Sequence, residues 1–167
     1  MQIPRFGPSG RRFAWQGIRL EASIHNASNT QSKWANTGNV AGHWSALNTI
    51  QSGFSVNTAT GRLSYGGSGG QFIVIASLTA FYDTQVATIN ADFVVDRNAA
   101  LVNTTTSTND AQRLTLVQSV SDVLLQSVVV LQRFNLARGD FLDILARNVT
   151  NADPVGLFAG TLIVEPV

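Results

Sequence analysis

The chain has 167 residues, enough for one domain, and 44% of them are hydrophobic, the share of an ordinary globular protein. Only 13% are charged and the net charge is +1, which excludes a global field that would draw nucleic acid or a membrane surface. There is no cysteine, which excludes disulfides, a thiolate nucleophile and a Cys-ligated metal.

Residues 1–13 read as an extended basic arm. Pro4, Gly7, Pro8, Ser9 and Gly10 oppose regular structure, while Arg5, Arg11 and Arg12 supply charge and Ile3, Phe6 and Phe13 supply apolar anchors. Such a segment is either a frayed terminus or an extension that becomes ordered on a neighbour. It has no apolar h-region of a secretory signal, so the chain is expected to be made in a cytoplasm. No run of 18 apolar residues is present to span a bilayer.

Residues 14–167 read as a single domain built from strands. Ile18, Leu20, Ala22 and Ile24 alternate with polar residues, which is period two. A loop rich in turn formers follows and carries Trp34 and Trp44. GFSVN and NTATGRLSY predict strand, turn, strand, with Thr60-Gly61 at the turn. The GGSGG break leads into QFIVIASLTAFY, dense in β-branched and aromatic residues, and VATINADFVVD alternates again. A long polar excursion, NAALVNTTTSTNDAQ, comes next. Residues 114–124 fit a helical stripe or a strand face, and their valines favour the strand. SVVVLQRFNL, FLDILARNV and LFAGTLIVEPV complete the set. About eight to ten strands with no convincing helix predict an all-β, two-sheet sandwich of antiparallel strands, of the jelly-roll type.

Three closing segments carry a resemblance. They are the Gly-rich lead into GGSGGQFIVIASLTAF, the L-x-x-GD turn at Leu136, Gly139 and Asp140, and the terminal F-x-G-x-L at Phe158, Gly160 and Leu162. Together they resemble the tumour necrosis factor-like and complement globular-head superfamily over roughly residues 45–165. Gln71 departs from the pattern, because it separates the Gly pair from Phe72, and no collagen-like stalk is present. The resemblance implies a ten-strand jelly roll that forms a homotrimer. It also implies a subunit contact near the final strand, at Phe158, Leu162 and Val164.

Catalytic and metal patterns are weak. His25 and His43 have no paired ligands at metal spacing. Asp92 and Asp96, four apart on a strand, stand about 13 Å from each other by strand rise, too far to share a task. Asp140 and Asp143 flank a turn, where they suit a calcium ion or, more simply, turn N–H groups. Arg138-Gly139-Asp140 spells an adhesive tripeptide but fits the strand turn, and the Gly66–Gly70 cluster lacks the Lys-Ser/Thr of a phosphate loop. Asn26, Asn103 and Asn148 head glycosylation sequons, which a chain rich in Asn, Ser and Thr produces by chance. No enzyme activity and no cofactor are expected.

Two functions fit this reading. The first is a structural virion protein, a trimeric capsid decoration or cement protein. Its arm would dock on a major capsid protein, with Arg5, Arg11 and Arg12 meeting acidic groups and Ile3 and Phe6 filling apolar pockets. The alternative is a carbohydrate- or receptor-binding head, with Trp34 and Trp44 stacking on a glycan. Against that stands placement of both tryptophans in the core or at a subunit contact.

Overall fold

In the computed structural model, residues 16–20, 25–27, 33–37, 44–46, 53–82, 87–118, 124–153 and 155–167 are described, with backbone alone for 16–20, 25–27 and 44–46. The predicted arm, with Ile3, Arg5, Phe6, Arg11 and Arg12, lies outside these residues, as do residues 119–123.

The described residues form β1 (Gln16–Leu20), β2 (His25–Ala27), β3 (Ala35–Asn36), β4 (Trp44–Ala46), β5 (Phe54–Asn57) and β6 (Arg62–Tyr65). They continue as β7 (Gly70–Phe81), β8 (Thr88–Arg97), β9 (Gln112–Val117), β10 (Gln126–Leu136), β11 (Phe141–Asn148) and β12 (Val155–Pro166). The first sheet has the order β10-β7-β12-β1-β4, with β2 also on β12. The second has the order β5-β6-β11-β8-β9, with β3 also on β11. Every paired ladder is antiparallel. This is the predicted all-β, two-sheet jelly roll. The strands beyond the expected eight to ten are the two- and three-residue pieces β2, β3 and β4, inside what the sequence presents as loop.

Alternation decides which side chains enter the core. Phe72, Val74, Ala76 and Leu78 of β7 and Val128 and Val130 of β10 point inward. They meet Leu63, Ile89, Phe93, Val95, Leu142 and Ile144 from the second sheet in one continuous cluster. Each large aliphatic buried this way contributes about 1.5–3 kcal/mol. At one end Phe54, Tyr65 and Phe72 pack ring against ring, with centroids 4.7–5.4 Å apart. The turn into β11 needs Gly139, whose φ is 93°, a conformation that a Cβ penalises. Gly156 is required for closeness instead, because a Cβ there would collide with the Phe81 ring. The segment read ambiguously as helix or strand contributes β9 over its first residues, and Leu124 and Leu125 precede β10 outside any strand.

Candidate assembly interface

The outer face of the first sheet is apolar where β10, β7 and β12 lie side by side. Leu131 is opposite Ile75, and Ile75 is opposite Ile163, so the three make one row across three strands. The next row along β10 carries Val129, Ser77 and Thr161, and the row on the other side carries Arg133, Ile73 and Glu165. Val129 and Leu131 are 56% and 64% exposed. Phe158 is 39% exposed at the irregularity where the β12–β7 register slips between Leu157 and Ala159. A bulge of this kind redirects one side chain, which is why Phe158 faces out between buried Leu157 and half-buried Ala159. β10 is also an edge strand of 11 residues, and long apolar edges are normally covered.

This geometry corrects the expected contact residues. Leu162 and Val164 are buried inside the sandwich, because even-numbered residues of β12 point at the second sheet. The outward positions of that strand are Thr161, Ile163 and Glu165, with Phe158 at the bulge. Val129 and Leu131 have a sequence signal. Val128-Val129-Val130-Leu131 is a continuous apolar run, and an edge strand that does not alternate is apolar on both faces.

The outer face of the second sheet is the opposite case, polar and covered. Asp92 of β8 is opposite Arg147 of β11, and Asp96 is opposite Asp143. Arg113 donates from Nε and Nη2 to the two Asp92 oxygens at 2.7 and 3.1 Å. Arg147 donates to Asp92 Oδ2 at 2.9 and 3.1 Å, and its Nη1 reaches Thr105 O. Burial opposes ionisation of Asp92, but the bonds from Arg113 and Arg147 outweigh it and hold the carboxyl below its usual range. Residues 98–111 lie over this face and are pinned by Trp34. Its Nε1–H donates to Thr106 O at 2.8 Å, its backbone pairs with Asn103 and Thr104, and the Arg147 guanidinium sits 4.5 Å over its ring. Trp34 is fully buried, so its ring offers no face to a sugar and the ligand-stacking expectation is corrected for it. The Trp44 side chain and His43 lie outside the described residues.

The remaining candidates are engaged elsewhere. Asp143 is fully buried and accepts two bonds from Arg62 Nε and Nη2 at 3.0 and 2.8 Å. Asp140 accepts from Asn98 Nδ2 and from Ala137 N, and these bonds, with Asn98 foremost, lower its carboxyl below the ordinary range. The two carboxylates thus serve an ion pair and a turn. The same bonds tie the Asp140 carboxylate into the turn of the Arg-Gly-Asp tripeptide. Among the described residues no group of three or more His, Cys, Asp or Glu is arranged to hold a metal.

No protein-family model matches the chain, and no curated protein matches it. Solved structures do. An Eiger TNF from S. frugiperda aligns with a TM-score of 0.54 at 13% identity, over 92% of this chain and 93% of that one. The fold is the tumour necrosis factor jelly roll. Murine APRIL at pH 8.5 aligns over 91% of this chain and 99% of its own, at 14% identity and a TM-score of 0.48.

Proposed function

We propose that the chain is a non-catalytic structural protein that works as a homotrimer, with the outer face of β10, β7 and β12 as the subunit contact. The observation that carries this reading is the exposed pair Val129 and Leu131, with Leu131 in one row with Ile75 and Ile163 and Phe158 exposed further along β12. A weakly charged chain gains by burying such a face, and a closed ring of identical copies buries it without leaving a free edge. Three copies are what the tumour necrosis factor-like resemblance implies. Leu131→Arg places a charge in the middle of this face and touches nothing in the core. The variant is expected to be a folded single chain by light scattering; an unchanged assembly would refute the contact.

The finer role is that of a virion decoration protein held on its shell by the basic arm, with Arg5, Arg11 and Arg12 on acidic groups of the capsid. The sequence supports it through the arm's Pro/Gly punctuation and charge and through a surface rich in Asn, Thr and Ser. A chain lacking residues 1–12 should assemble normally but no longer sediment with capsids. Co-sedimentation of the truncated protein would rule out the arm as the tether. The alternative, a carbohydrate- or receptor-binding head, retains Trp44 of its two tryptophans. Glycan-array binding that Trp44→Ala abolishes would favour it.

A further inference from the structure

A cleft of about 360 Å³ opens between the C-terminal half of β8, the 98–111 segment and β10. It borders the part of β8 that β9 does not reach, because β9 pairs with β8 only from Thr88 to Phe93 and leaves Val94–Arg97 without a β9 partner. Its volume falls at the small end of the ~300–1,000 Å³ of ligand sites. Two nearly buried polar side chains line it. Asp96 is 4% exposed and accepts from Leu101 N–H through Oδ2 at 3.1 Å, using part of a carboxylate's capacity. Gln132 is 8% exposed and spends its oxygen on Val95 N–H at 2.8 Å. Its amide nitrogen has no protein bond among the described residues.

The rest of the lining selects the ligand class. Asp96 and Asp110 balance Arg97 and Arg133, so the cleft has no net charge to attract a phosphate or an amine. The Thr108 hydroxyl adds a group that both donates and accepts, and Phe134 and Leu101 add apolar surface. Adjacent donors and acceptors without net charge match vicinal hydroxyls, each of which does both, and the apolar wall matches the C–H face of a sugar ring. We propose that this cleft binds a neutral saccharide, with Asp96 accepting from ligand hydroxyls and Gln132 donating to them. Burial pushes the Asp96 carboxyl above its ordinary range, with facing Asp143 adding to the effect, and hydroxyl donors would relieve that cost. The site lies within one chain and uses neither tryptophan. In a trimer it would occur three times, which turns weak sites into a multivalent surface.

Saturation-transfer NMR on the full chain, with the methyl glycosides of glucose, galactose, mannose and N-acetylglucosamine as probes, tests the proposal. At least one probe should receive saturation at millimolar concentration and shift the amides of residues 94–97 and 132–135. Ala100→Phe fills the mouth from an exposed position and should abolish the effect. Asp96→Asn should weaken binding about tenfold, as loss of a charged acceptor does. Binding should persist in Leu131→Arg, which keeps this test separate from the assembly reading. No transfer from any probe, or transfer unchanged in Ala100→Phe, would overturn the site.

Discussion

The outer faces of the two sheets reverse the usual relation between polarity and burial. On the first sheet Val129 and Leu131 are apolar and exposed; on the second, Asp92, Asp96, Asp143 and Arg147 are charged and buried. Cover makes the difference. Residues 98–111 and Trp34 close over the charged face, where guanidinium–carboxylate bonds satisfy Asp92, Asp143 and Arg147. The charged face is complete within one chain, while the apolar face is the subunit contact proposed above. Substitutions on the first should therefore change the fold's stability, and substitutions on the second should change association.

The largest expected effect is on the charged face. Arg147→Leu removes a buried donor to Asp92 and the cation over Trp34, and should cost about 3–5 kcal/mol in urea unfolding, as breaking a buried pair does. A loss below about 1 kcal/mol would mean that the face is held by other contacts. Trp34→Phe keeps most of the packing but loses the bond to Thr106 O, so a smaller cost of about 1–2 kcal/mol is expected.

Acid titration sharpens the comparison, because two carboxyls on this face have opposite signs. Asp92 titrates below its unfolded value, so its stabilisation is present above the unfolded pKa of about 3.9 and is lost as pH falls through the lower folded value. Asp96 titrates above its unfolded value, so its contribution is favourable below about 3.9 and is lost as pH rises through the folded value. Asp96→Asn should therefore raise the unfolding midpoint at pH 7, with the gain vanishing in acid. A variant less stable than wild type at pH 7 would reverse the sign of that argument. The smallest effect concerns the covering segment. Ala99 holds φ at 56°, and Ala99→Gly should stabilise by about 0.5 kcal/mol once glycine's own entropy cost is subtracted.

Period two and turn chemistry made much of the fold legible. The hairpin of β5 and β6 follows from Thr60-Gly61, the β10–β11 turn from Gly139-Asp140, and the inner face of β8 from Ile89, Ala91, Phe93 and Val95. The fates of the faces were harder to read. Leu162 and Val164 look the same in sequence whether strand β12 turns them to the core or to a neighbour. Pairing of Asp92 with Arg147 depends on a register between segments 55 residues apart. Trp34 looked like a loop residue because its cover comes from residues 101–106, far along the chain. Val129 and Leu131 were legible in principle, since a run without alternation on an edge strand declares two apolar faces.

The central claim is that the apolar face is covered by two further copies of the chain. Light scattering of the full chain measures this most directly. The account predicts a mass three times the 17.9 kDa of one chain, held on dilution into the low micromolar range. A mass of one chain at the same concentration would contradict it.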